Sequence, residues 1–367
     1  MRKKGGIKKV LLLFIVLIVV SILFFNNFQP AKGLRIINWD NIYNENNIIF
    51  FYEDLNITEN KDLVNLNNVY RIKELTSEGK TEIDKVLKGV DILNSIVEYD
   101  DVEDSNLTSA YEIIKFKNGS KKVTGREMAV IQRDILICAG LKSRIGEFRK
   151  EEPQFKQSPS YYVVEYFSEE YNKWVMVDFR NRAYYSEDNV PLAAIEIIDS
   201  NINKLDYEGK NEFKDIVNEF KQYLSSYTIF IDNTHDMNRS NSCVTYISSE
   251  KDIDLMKHNK YLSPTIFTEK KQLFLNKPAN EKELNDKKAY LIFFKRQTDE
   301  EDKLTYVLGA FRNDTVINNY YLRINDGEWQ KIDNMYYEYN FALGKTKIEL
   351  SLNGKDVVSK VEINREK

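Results

Sequence analysis

Residues 125–144 read GREMAVIQRDILICAGLKSR, and residues 161–178 read YYVVEYFSEEYNKWVMVD. In the first segment Met128, Ile131, Ile135 and Cys138 recur at the spacing of one helix face, and Gly140 follows where a C-terminal cap belongs. That pattern predicts a buried amphipathic helix. In the second segment β-branched and aromatic residues alternate on both sides of Glu169 and Glu170, which predicts two antiparallel strands joined by an acidic turn. A helix followed by an antiparallel sheet is the core of an α+β domain.

The spacings within these two segments resemble the transglutaminase-like (papain-type) superfamily of cysteine enzymes. Ala129, Gly140, Leu141 and Arg144 match that family's nucleophile helix, which opens Cys-x-x-x-Ala and ends Gly-Ile/Leu-x-Ala-Arg, so Gly125 stands at the position of the cysteine. Glu165, Trp174 and Asp178 match its His-Ala-Trp-x-Glu strand and the following Trp-x-x-x-Asp, so Tyr161 stands at the position of the histidine. Residues Asn181 to Leu192 also resemble the family's continuation past its aspartate. The likeness covers roughly residues 80–195. It implies a degenerate member in which no catalytic residue is assigned, with Gly125, Tyr161 and Asp178 at the triad positions. It also implies a binding cleft lined by Glu127, Tyr161, Glu165, Trp174 and Asp178.

Catalysis of that type needs a thiol at a helix N-terminus, where the dipole and an adjacent imidazole stabilise the thiolate. Glycine carries no nucleophile, and a phenol with an ordinary pKa of about 10 is a poor base near neutrality. Thr124, Ser158 and Ser160 lie close by in sequence without a base beside them. The chain has two histidines, His235 and His258, both outside the resemblance. The expectation is a pseudoenzyme that binds or scaffolds, with Tyr161 hydrogen-bonded to Asp178. Two alternatives stand beside it: an amide-cleaving or amide-transferring enzyme using non-standard residues in the same cleft, and a structural spacer. Trp174 on an alternating strand also reads as core, and Cys138 reads as a buried, inert thiol.

Arg2, Lys3, Lys4, Lys8 and Lys9 precede an apolar run from Val10 to Phe25, the pattern of a signal anchor or signal peptide in residues 1–33. As a helix the run spans about 24 Å, somewhat short of a hydrocarbon core near 30 Å. The expected location is a single-pass membrane anchor through residues 10–25 with the bulk of the chain extracytoplasmic, or secretion if the signal is cleaved. Six of the 53 basic residues and none of the 57 acidic ones precede Leu34, leaving a body with a formal charge of −10. Nucleic acid is therefore not an expected partner; a cell-envelope peptide, glycan or protein is. Two cysteines, Cys138 and Cys243, make no disulfide framework, and no motif implies a metal or cofactor.

The remaining organisation follows from periodicity. Residues 34–68 read as an irregular extension whose short apolar pieces at Ile36-Ile37 and Ile48 to Tyr52 are candidate strands, and 69–205 as the transglutaminase-like domain. Ile83, Val86, Leu87, Val90, Leu93 and Ile96 predict a helix, as does Ser109 to Ile114. Tyr207 to Tyr227 predicts a helical connector (206–227) carrying Phe213, Ile216, Val217, Phe220 and Leu224 on one face. Residues 228–367 read as β-rich, ending in an immunoglobulin-like sandwich from about 287, with hairpins at Asp326-Gly327 and Asn353-Gly354.

Overall fold

The computed structural model describes residues 34–45, 57–150, 160–209, 213–230, 242–249, 262–278, 286–295, 305–313 and 315–365. The apolar run at Val10–Phe25, the piece at Ile48 to Tyr52, Ser158 and both histidines lie outside them. Among the described residues no helix is long and apolar enough to cross a membrane.

The helix of residues Gly125–Cys138 is buried along almost its whole length. Helices Lys61–Tyr70, Ile72–Ser77, Glu82–Ile96 and Ala110–Phe116 surround one side of it, and the antiparallel strands Ser143–Arg149, Ser160–Ser168 and Lys173–Val177 carry the other. Leu63, Leu66, Val86, Val90 and Ile113 meet Met128, Ile131 and Ile135, while Val164, Val175 and Val177 close the cluster from the sheet. A helix enclosed on all sides must find partners for its polar residues. Asp134 accepts from the Ala110 amide at 2.8 Å, and Arg133 donates to the Thr108 carbonyl at 2.7 Å. Gly140, at φ +85°, ends the helix in the left-handed region as its position predicts. Cys138 and Cys243 are buried and form no disulfide.

Because side chains alternate across a strand, Tyr162, Val164 and Tyr166 face this helical layer while Tyr161, Val163 and Phe167 face away. The second face is covered by a core containing Phe148, Trp174, Tyr185, Phe220, Tyr223, Tyr227 and Phe274.

Three expectations differ from the structure. The N-terminal extension is not irregular: Leu34–Asp40 is a strand paired antiparallel with Ser359–Arg365, with Trp39 packed on Phe267 and Phe293. Asn41 fixes its exit by exchanging two hydrogen bonds with Leu291, 250 residues along the chain. Among the described residues the connector is helical over Phe213–Phe220, followed by one 3-10 turn at Lys221–Tyr223. Its two ends are strands, because Tyr207 pairs with Tyr185 and Tyr227 with Phe148. The boundary expected at 228 is bridged by hydrogen bonds, since Ser226–Phe230 lies between Ser143–Arg149 and Cys243–Ile247. One ten-stranded sheet therefore runs from Lys173–Val177 to Thr315–Ile317, antiparallel except where Cys243–Ile247 meets Leu262–Thr268. Its far half packs on a five-stranded sheet made by Leu34–Asp40, Ser359–Arg365, Gly344–Ser351, Tyr320–Ile324 and Gln330–Ile332. Both predicted hairpins are present in that smaller sheet.

Lys295 ends the strand Tyr290–Lys295 fully buried, its ammonium 5.5 Å from the Tyr306 ring. Burial lowers its pKa from the ordinary 10.5 to about 8. The folded chain thus holds fewer protons than the unfolded one between these values, so stability rises as pH climbs through that window. Lys295→Met is expected to flatten that rise, which amounts to at most about 3 kcal/mol. Urea unfolding of both proteins between pH 7 and 10.5 measures it, and parallel pH profiles would refute the assignment.

Candidate functional site

The start of the Gly125–Cys138 helix is held by a capping box. The Thr124 hydroxyl accepts from the Glu127 amide at 3.1 Å, and the Glu127 carboxylate accepts from the Thr124 amide at 2.9 Å. Glu127 is fully buried, also accepts from the Ser105 amide at 2.9 Å, and meets the Lys117 ammonium at 3.0 Å. Burial opposes its ionisation, yet these donors together hold the carboxyl below the usual range. Beside it Asp104 accepts from the Thr124 hydroxyl at 2.7 Å and from Arg126 at 2.9 Å. Two carboxylates thus tie the preceding loop to the helix start.

A short parallel pairing of Glu98–Tyr99 with Lys122–Val123 brings the Tyr99 ring to the same place. From the sheet side comes the turn after Lys173–Val177. Asp178, buried to 1% exposure, accepts from the Tyr161 hydroxyl at 2.7 Å and from the Asn181 side-chain amide at 2.8 Å. Its other oxygen accepts from the backbone amides of Arg180 and Asn181 at 3.2 and 3.3 Å. Burial raises the Asp178 pKa, with Asn181, Tyr161 and Arg180 opposing. The Tyr161 phenol is pushed well above its ordinary value, first by burial and then by Asp178. It keeps its proton as a donor.

The space beside Gly125 belongs to Arg180. A Cβ on Gly125 would run into the Nη2 of Arg180 and would touch the Tyr162 ring at 3.4 Å. The same guanidinium lies 3.9 Å from the Tyr99 ring centroid and 4.9 Å from that of Tyr161. Gly125, Tyr161 and Asp178 are therefore gathered around one arginine, although Tyr161 leaves its strand on the face opposite to the helix. As arranged, these groups present a guanidinium lying beside two aromatic rings and a carboxylate already occupied by its own donors.

Glu165 and Trp174 lie elsewhere. Both are fully buried, in a network centred on Arg144. The Arg144 Nε donates to Glu165 Oε2 at 2.7 Å, its Nη2 donates to the Phe274 carbonyl at 2.6 Å, and its guanidinium stacks 3.9 Å from the Trp174 ring. Glu165 also accepts from the Tyr227 hydroxyl at 2.7 Å and the Ala194 amide at 2.9 Å, and Trp174 donates to the Asn276 carbonyl at 2.9 Å. This network joins the strands Ser143–Arg149, Ser160–Ser168 and Lys173–Val177 to the strand Ser226–Phe230 and to the two short helices Ala194–Ile197 and Gln272–Leu275.

Sequence reasoning missed Arg180, Tyr99 and the Asn181 side chain. A glycine at the first position of a long buried helix was the available signal, since glycine there costs helix stability and leaves room for a neighbour. No protein-family model matches the chain, and no curated protein matches it.

Removing one partner from a buried ion pair leaves an uncompensated charge, at a cost of roughly 3–5 kcal/mol. Arg144→Met is expected to lose about that much stability, and Arg144→Met combined with Glu165→Leu distinctly less. Urea unfolding of the four proteins of this cycle checks it. A double variant as unstable as the sum of the singles would show that the pair is not coupled.

Proposed function

We propose that this chain is a non-catalytic relative of the transglutaminase-like enzymes, anchored by residues 10–25 on the extracytoplasmic face of a membrane, where it binds or scaffolds a cell-envelope peptide, glycan or protein. The observation that carries the reading is the meeting of Gly125, Tyr161 and Asp178 around Arg180. The resemblance puts cysteine, histidine and aspartate at those three positions. Here the first has no side chain and its space holds a guanidinium, the second is a phenol that keeps its proton, and the third is occupied by four donors. Support for the location comes from the basic residues ahead of Val10 and from the acidic body that follows. The envelope partner follows from that location and from fold analogy.

The reading is tested by rebuilding the triad. Gly125→Cys alone would press its side chain against Arg180, so the informative variant is Gly125→Cys with Tyr161→His and Arg180→Ala. With an imidazole near a helix N-terminus, the new thiol should be labelled by iodoacetamide at neutral pH faster than the thiol of the Gly125→Cys single variant, by about tenfold or more. A folded triple variant whose thiol reacts no faster would count against the assignment of Gly125 and Tyr161. Amide turnover by the wild-type chain, lost on changing a residue around Arg180, would instead establish the enzyme reading.

A further inference from the structure

Most of the described arginines are matched with carboxylates. Arg126 pairs with Asp104, Arg144 with Glu165, Arg182 with Asp91 and Arg323 with Glu349. Arg180 is the exception around the helix start. Among the described residues its guanidinium makes no ion pair, and its buried Nε has no hydrogen-bond partner. Asp178, two residues earlier, is already engaged by the Tyr161 hydroxyl, the Asn181 amide and two backbone N–H groups. A partly buried cation with no direct ion pair is costly, and part of that cost is recovered when an anion binds to it.

The surroundings specify which anion. The Tyr99 and Tyr161 rings lie 3.9 and 4.9 Å from the guanidinium carbon and the Nε is buried, which leaves the two terminal Nη groups to donate. Edge donation in pairs is the geometry that fits the two oxygens of a carboxylate. The additional oxygens of a phosphate would be set against the Tyr99 and Tyr161 rings, whose faces are electron-rich. Tyr99 is 45% exposed, so one wall of the site is an accessible aromatic surface. Among the described residues, Glu147 faces Arg149 and Ser160, Glu219 lies beside Tyr223 and Asp104 pairs with Arg126, so none of them forms an ion pair with Arg180.

We infer that Arg180 is the anchor of a binding site for the free carboxylate of a ligand such as a peptide C-terminus, with Tyr99 as its aromatic wall. The inference rests on the binding reading of this site and names the chemistry it recognises.

The test compares N-acetyl-alanyl-alanine with its C-terminal amide by isothermal titration of the full-length chain in mild detergent at low salt. The acid should bind saturably in the millimolar range or tighter, and the amide about tenfold more weakly. Arg180→Gln should lose the same factor towards the acid and leave the amide unchanged. Tyr99→Ala, which leaves the guanidinium in place, should weaken both probes by a few fold. Inorganic phosphate should compete poorly. Equal affinity for acid and amide, undiminished acid binding by a folded Arg180→Gln variant, competition by phosphate as strong as that of the acid, or no saturable binding would each overturn the inference. Should Arg180→Gln fail to fold, the acid–amide comparison and Tyr99→Ala still decide. Binding without preference for the acid would sink this inference alone, whereas wild-type amide turnover would sink the non-catalytic reading.

Discussion

The buried pair of Arg144 and Glu165 is the constraint on which the sheet depends. Two full charges withdrawn from water are tolerable only where geometry and further hydrogen bonds replace hydration. Here the replacements come from Tyr227, the Ala194 amide, the Phe274 carbonyl and the Trp174 ring. Arg144 and Glu165 are also direct cross-strand partners in the ladder. Slipping that ladder by one residue would turn Glu165 towards the helix and leave both charges stranded, so the pair specifies register more than it adds stability. Tyr161 shares the face of Glu165 and is the direct cross-strand partner of Phe148, so the same register sets where its phenol meets Asp178. A network some residues from the site thus decides the geometry of the site.

Those replacements also explain why the chain does not divide where its composition changes. Tyr227 lies on the first strand past the helical connector, and Phe274 and Asn276 lie further along. Each closes a polar group that the first sheet cannot satisfy by itself. The later strands therefore complete the interior of the earlier ones, and the ten-stranded sheet is continuous because Ser226–Phe230 takes the edge offered by Ser143–Arg149.

Short-range patterns in the chain carried over well into structure. Apolar spacing and Gly140 marked the buried helix, alternation marked both strands around Glu169 and Glu170, and Asp326-Gly327 marked a hairpin. Long-range pairing left no such trace. Leu34–Asp40 reads as irregular because its partner strand lies at the opposite end of the chain and its polar residues alternate imperfectly around a bulge between Ile36 and Asn38. Tyr207 and Tyr227 continue a helical stripe in sequence but are captured by strands, tertiary pairing overriding local preference. In the site, Asp178 and Tyr161 were legible as a pair. Glu165 and Trp174 share the spacing of cleft residues, and only their neighbours in space reveal them as parts of a separate buried network.

Gly125 and Arg180 are best understood as one feature written at two places. A side chain at position 125 and a guanidinium in its present position cannot coexist without movement of one of them. The arginine can bend away at little cost, since the atom in conflict is the end of a flexible chain, but it would then leave the rings of Tyr99 and Tyr161. Cation–aromatic contacts of this kind are worth roughly 0.5–2 kcal/mol each, comparable to the helix propensity lost by placing glycine at the position. The glycine is therefore not a neutral position. It creates the space in which a fixed positive charge can stand at the N-terminus of a buried helix, where the dipole opposes a cation and favours an anion. An arginine held there against the dipole, without a carboxylate of its own, has its most favourable state when an anion from outside lies between the two.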